Sequence, residues 1–527
     1  MQGPHDADAG GTEAGSGSEA ADSSPGAPSP GPSTPGTDRA EPVPAGPAVR
    51  ADRLFLGSCV ALIATSVAFA TVGAVMLALK REFVLTNAEV GWIGGAALWG
   101  FAVSQLLFAP LADSVGMRTL LRFAFVGHLL GALTMISAGG FGLLFVGALV
   151  IAMGNGLVEA ACNPLVAALY PHDKTVKLNQ FHVWFPGGGV IGGLAAFALD
   201  SVGVTSWQVK IALILVPTLA YGWLILREPF PQTEGVDAGV SMGEMFRAAF
   251  MTPFMWVMLI AMAMTASVEL GPNRWVPAVL EAGGIAGILV LVWINGLMAV
   301  MRYGAGAVVS RVAPTGLLVV SAVVSGVGLL ALSYASGTGA TFAAATVFAL
   351  GVCYFWPTML GVVSERVPRS GALGLGLMGT VGMATVGLVT SPGMGSIADR
   401  YAHERIPVEE TVQLFQGAGM PLLMEEHMDA VVALEATADA LSQYEATGEL
   451  PSPETANALR ALVASEVDEE MVSQAQAILS PADNYGGKIS FRFIVPLCVI
   501  LAGIFGALYV RDRQAGGYRV ESIGGRP

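Results

Sequence analysis

Charge is scarce in this chain: 13% of its 527 residues are Asp, Glu, Lys or Arg, against 54% hydrophobic residues. Soluble globular domains carry about 25% charge, so this content, with a mean hydropathy of +0.63, excludes water as the main solvent. Cysteine is also rare, and the four residues Cys59, Cys162, Cys353 and Cys498 fall inside apolar runs without CxxC or metal-ligand spacing. They read as small apolar core residues. No cluster of histidines or carboxylates points to a metal, and no cofactor is expected. No nucleophile constellation or phosphate loop points to an enzyme, and nothing points to nucleic acid. The first fifty residues lack a basic segment leading into a short apolar core, so they do not read as a signal peptide. Rich in Gly, Pro, Ser and Asp, residues 1–50 read as a disordered tail.

What the chain has instead is long apolar runs and 67 glycines. Each run is long enough to cross a hydrocarbon layer of about 30 Å as a helix, the one cheap way for backbone polar groups to cross lipid. Twelve spans are expected near 54–79, 89–112, 119–138, 141–170, 178–199, 207–226, 253–276, 284–309, 315–335, 339–364, 371–394 and 490–510. The fold class expected is therefore an all-α integral membrane protein.

The net charge of −14 belongs to two hydrophilic segments: residues 1–50 contribute −5 and 399–487 contribute −14, leaving the remainder at about +5. Acidity therefore reads as solvated surface and says nothing of a substrate. With the N-terminus inside, seventeen basic residues fall on the inner side: Arg39, Arg50, Arg53, Arg118, Arg122, Lys174, Lys177, Arg227, Arg247, Arg302, Arg311, Arg366, Arg369, Arg511, Arg513, Arg519 and Arg526. Away from the long loop and its edges, Lys80, Arg81, Lys210 and Arg274 fall outside. The bias predicts a multi-pass plasma (inner) membrane protein with both termini cytoplasmic.

A hydrophilic linker at 227–252 divides the spans into two six-helix halves, 51–226 and 253–400 with 488–511. Asn163-Pro164 followed by Leu178 and the glycines Gly187, Gly188, Gly189, Gly192 and Gly193 returns six spans later as Trp356-Pro357, Leu373 and Gly374, Gly376, Gly379, Gly382 and Gly387. A duplicated unit with its site between pseudo-symmetric halves is a recurring transporter design, and small residues on helix faces permit close approach. Residues 401–487 read as an acidic, helical, external insertion, with patterns from Met424 to Leu441 and from Pro453 to Leu479, the second opening on Ser452-Pro453-Glu454. The last segment, 512–527, is a cytoplasmic tail.

A carboxylate at mid-membrane costs on the order of 2.5–3.5 kcal/mol by insertion scales and needs a partner, a cavity or a proton. Glu159 lies deep in the fourth span, with Asn155 and Asn163 four residues either side on one helical face. Glu269 in the seventh span is flanked in the same way by Thr265 and Asn273. Each is either a structural bridge, with Arg274 the candidate partner for Glu269, or a group that binds and releases a proton as a cavity opens to each side. Sugar hydroxyls would bond well to such a stripe. His128 reads as a satisfied interhelical residue. Trp184, Trp275, Trp293 and Trp356 fit either packing or the stacking of sugar rings.

The loop after the second span, Ala109-Pro110-Leu111-Ala112-Asp113-Ser114-Val115-Gly116-Met117-Arg118, resembles the signature loop of the major facilitator superfamily, G-x-L-A-D-x-x-G-x-[RK], with Ala109 in place of the first glycine. The resemblance implies a gating role for Asp113, Gly116 and Arg118, the acid and base latching the cytoplasmic helix ends. Gly154 to Pro164, read as G-N-G-L-V-E-A-A-C-N-P, then Leu178-Asn179, and Phe83 to Asn87 before the second span, resemble the fucose:proton symporter branch of sugar transporters over 52–400 and 488–511. That resemblance gives Glu159 the proton-coupling position. It also exposes departures: Ala70 to Ala74 holds no carboxylate where the branch has a first-span aspartate, and His182 and Phe185 stand where it has sugar-binding Gln and Asn. Glu269 is the candidate second coupling group.

The function expected is a secondary active transporter importing a small polar solute, a sugar or sugar derivative, coupled to a proton or another cation, working as a monomer among membrane lipids. The substrate site is expected to gather Asn155, Asn163, Asn179, His182, Trp184, Asn295 and Trp356 around Glu159 and Glu269. Open alternatives are a uniporter or exporter of another organic solute with Glu159 structural, and a non-transporting solute sensor.

Overall fold

The computed structural model describes residues 49–523 except 84, 86, 310, 426 and 453. The tail expected over 1–50, apart from its last two residues, lies outside them, as do Arg39, Arg526 and Pro453. Among the described residues there is no strand, and eleven helices are long and apolar enough to cross a membrane. The first six are α1 (Ala51–Glu82), α2 (Glu89–Val115), α3 (Met117–Ile136), α4 (Phe141–Leu169), α5 (Lys174–Ser201) and α6 (Trp207–Ile225). Then come α7 (Pro253–Ala282), the shorter apolar α8 (Gly287–Tyr303), α9 (Pro314–Tyr334), α10 (Thr338–Arg366), α11 (Pro368–His403) and α12 (Glu469–Gln514). With α8 counted, the spans are the twelve expected from the apolar runs.

Proline and glycine shape these helices. Pro253 and Pro314 open α7 and α9 at the first turn, where a missing N–H costs nothing. Gly116, at φ +83°, makes the turn from α2 into α3 in a backbone region that side chains avoid. Where α3 crosses α4, a Cβ on Gly147 would lie 2.9 Å from the Gly131 carbonyl oxygen, so only hydrogen fits and the backbones meet directly.

Helices α1 to α6 pack largely on one another, as do α7 to α12. The main crossings between the two sets are α2 and α4 against α11, and α5 against α8 and α10, with a smaller contact of α4 on α10. In a duplicated fold α2 corresponds to α8 and α5 to α11, so the α2–α11 and α5–α8 contacts are symmetry mates. Between α6 and α7, Ser241 caps the helix Met242–Met251 in a reciprocal box with Glu244. The Ser241 backbone N–H and hydroxyl hold the Glu244 carboxyl below its usual value.

The insertion forms helices Val408–Leu423, Met428–Thr447 and Glu454–Ser465 around their own apolar core, including Phe415, Ala418 and Leu459. The single pattern expected from Pro453 to Leu479 is broken. Glu466 adopts φ +52°, and Asp468 then accepts the Met471 N–H at 2.9 Å as the cap of a new helix that runs on as α12. The helix Val408–Leu423 was not expected from the sequence.

Candidate functional site

At the end of the bundle where α5 begins, several contacts join the two helix sets. The Lys174 ammonium pairs with Glu234 of the linker and donates to the Ser364 carbonyl. Thr175 donates its backbone N–H at 3.1 Å and its hydroxyl at 2.7 Å to Glu365 Oε1. One turn on, the Asn179 amide donates to the Thr358 hydroxyl at 3.2 Å. A Cβ on Gly361 would lie 2.8 Å from Thr175 Cα, so α5 and α10 are in contact here. The chain after α12 returns to the same place, with the Tyr518 hydroxyl donating to Glu365 Oε2 at 2.7 Å.

The signature-loop residues adjoin this closed end without pairing with each other. Asp113 accepts the Thr233 hydroxyl at 2.5 Å and faces the start of α11, where a Cβ on Gly371 would come within 3.0 Å of its Oδ2. Arg118 donates to the Leu226 carbonyl at 3.0 Å, closing the end of α6.

Deeper in the bundle, Phe101, Glu159, His182, Glu269, Arg302 and Trp356 line an enclosed cavity with about 20 Å³ of free volume, roughly one water. Glu159 Oε2 accepts the Gln105 amide at 3.4 Å and the Asn163 amide at 3.3 Å, both long bonds. Its Oε1 takes no hydrogen bond and no cation pairs with the carboxyl among the described residues. The Asn163 carbonyl oxygen in turn meets His182 Nε2 at 3.1 Å. The buried Trp356 indole N–H approaches the Glu159 carboxyl but makes no well-formed hydrogen bond among the described residues. Gly382 of α11 makes room for that ring, since a Cβ there would lie 2.8 Å from it.

Glu269 is paired with Arg302 at 2.7 Å, not with Arg274. Arg302, counted from sequence as an inner loop cation, is instead a fully buried residue of the core. Its position follows from two prolines. The carbonyls of His182 and Cys353 would bond the N–H four residues on, but those residues are Pro186 and Pro357, which have none. Arg302 donates to both orphaned oxygens, at 3.0 Å to His182 and 2.6 Å to Cys353, where α5 and α10 each break.

Other expected site residues stand elsewhere. Asn155 turns to α3, where His128 Nε2 meets its Oδ1 at 2.8 Å and His128 Nδ1 meets the Tyr221 hydroxyl at 3.2 Å. Asn179 belongs to the closed end, and Trp184 lines neither cavity. Trp293 is exposed on the bundle surface and bonds Thr346. Asn295 lines a second, open cavity of about 340 Å³ between α1, α2, α5, α7, α8 and α11, together with Phe69, Asn273 and Arg274. Phe185, Leu270 and Met383 belong to the walls of both cavities and form the floor between them.

Comparison with known proteins bears on the fold. The gentisate transporter of Corynebacterium glutamicum is 22% identical over 352 residues, 62% of this chain and 76% of that protein. D-xylose-proton symporter-like 1 of Arabidopsis thaliana is 26% identical over 178 residues, 31% of this chain and 35% of that protein. Among solved structures, the E. coli fucose:proton symporter matches with a TM-score of 0.54 at 15% identity, covering 85% of this chain and 98% of that one. A bacterial homolog of the human lysosomal transporter Spinster, in an inward-facing state, matches at 0.56 with 14% identity, covering 86% and 96%. The sequence model of the Major Facilitator Superfamily matches residues 54–392, more than half of the chain. The chain therefore belongs to the major facilitator superfamily and is a multi-pass membrane transporter.

Proposed function

We propose that this transporter imports a small polar solute, a sugar or sugar derivative, by alternating access, and that Glu159 carries the coupling proton. The observation that carries the reading is Glu159 itself: a buried carboxyl in the central cavity that, among the described residues, takes two long amide hydrogen bonds and no ion pair. Such a group exchanges a proton with whichever side the cavity meets. Glu269 already has Arg302, so its part in coupling is to hold the one cation that shares a cavity with Glu159.

The sequence bias of basic residues supports an orientation in the plasma (inner) membrane with both termini cytoplasmic, and in that orientation the Lys174–Glu365 end is the cytoplasmic gate and the Asn295 cavity the external vestibule. The halves 51–226 and 253–400 with 488–511 rock about the α2–α11 and α5–α8 contacts. Solute enters the vestibule and passes the Phe185 floor to His182, Asn163 and Trp356. The cytoplasmic contacts of Thr175, Asn179 and Asp113 then part. Asn155 and Trp184 support the wall from behind.

The test is uptake of labelled glucose and glucuronate into proteoliposomes under an inward proton gradient. Glu159→Gln is expected to abolish gradient-driven accumulation while leaving exchange of solute across the membrane. Full accumulation by that variant would mean the coupling proton is not on Glu159.

A further inference from the structure

The vestibule that holds Asn295 also holds a cation, Arg274, with no counter-ion among the described residues. Arg274 has no hydrogen bond or ion pair to any described residue, although it lines a cavity cut into an apolar bundle. Among the described residues no carboxylate lines that cavity. The nearest acid in sequence, Glu269, is bound to Arg302 one layer deeper. Beside Arg274, the Asn273 carbonyl oxygen is buried without a donor, and its amide finds only the Met298 sulfur at 4.0 Å, a weak acceptor. An exposed guanidinium with no ion pair among the described residues and an unsatisfied amide oxygen thus stand side by side on a solute-sized space. The volume, about 340 Å³, is within the roughly 300–1,000 Å³ of small-molecule sites.

A neutral polyol is poorly served by these walls. Every buried hydroxyl needs a partner, and the lining offers few: the Ser66 hydroxyl is already given to the Phe185 carbonyl and the Asn295 amide to the Leu291 carbonyl. The same lining includes Phe69 and Phe185, edge to face with centroids 5.9 Å apart, which suit a flat or apolar ring face. A guanidinium left free matches a carboxylate in charge and in its paired donors.

Resting on the transport reading above, we propose that the solute is a small ring-bearing monocarboxylate, received in the vestibule by Arg274 with Asn273 beside it. A sugar acid and an aromatic acid share that chemistry, and the two are separated by experiment. The full-length purified protein is melted with glucuronate, glucose, benzoate or benzamide at millimolar concentration. At least one carboxylate is expected to raise the melting temperature by roughly 2–4 °C over its neutral counterpart. A shift with glucuronate alone assigns a sugar acid, and one with benzoate alone an aromatic acid. The shift should vanish in Arg274→Gln and persist in part in Arg274→Lys, which keeps the charge and loses the fork. The proposal is overturned if neither carboxylate shifts the melt, if neutral partners shift it equally, or if the shift survives in Arg274→Gln. Coupling through Glu159 is read from uptake and not from this melt, so either conclusion can fail while the other stands.

Discussion

The Arg302 guanidinium meets the Glu269 carboxylate at 2.7 Å, with side chains only 2% and 4% exposed, in the centre of the helical bundle. The pair ties α8 to α7, and the two carbonyl bonds of Arg302 tie both to the breaks in α5 and α10. Removing one member leaves the other as an unpaired buried charge, which costs about 3–5 kcal/mol, whereas removing both relieves that charge and leaves the His182 and Cys353 carbonyls without their donor, at about 1–3 kcal/mol each. Arg302→Met is therefore expected to lower the melting temperature sharply, and Arg302→Met with Glu269→Gln to recover the part due to the unpaired carboxylate but not the part due to the two carbonyls. A single variant as stable as the parent would show that the pair does not hold the core.

Closing the Lys174 end requires Gly361 to face Thr175 with no side chain between them. Gly361→Val is expected to hold that end open: uptake falls to the leak rate, and a cysteine substituted for Ser364 reacts faster with a membrane-impermeant thiol reagent. The native cysteines are buried, so background labelling is low. Undiminished uptake would remove this contact from the gate.

His128 bridges Asn155 and Tyr221 away from both cavities. His128→Leu strands two buried polar groups, each worth about 1–3 kcal/mol when unsatisfied. Stability should drop in a denaturation assay while the half-saturating solute concentration in uptake is unchanged. A large change in that concentration at normal stability would bring Asn155 back into the binding wall.

Much of this architecture is legible in the sequence because lipid leaves one solution for a long apolar run, and the twelve spans follow from hydropathy alone. Glu159 is legible for a related reason, being an acid on an apolar face with amides four residues either side. Gln105, which bonds it, is not, because Phe101 and Ala109 occupy the corresponding positions on its own helix and nothing sets it apart. Arg302 sits next to the last residue of α8 and reads as a loop cation. Only the packing of α5 and α10 beside it reveals the carbonyls left free by Pro186 and Pro357, although the prolines themselves are plain in the sequence. The Thr175–Glu365 contact spans 190 residues and depends on how two helix sets meet, which no local pattern encodes.

The most direct test of the account is proton movement itself. Proteoliposomes in weak buffer, with no imposed gradient, receive glucuronate or glucose while external pH is recorded. The account predicts that the transported solute makes the medium more alkaline as protons enter with it, and that Glu159→Gln gives no pH change. Solute entry without any alkalinisation in the parent protein, or the same alkalinisation in Glu159→Gln, would contradict it.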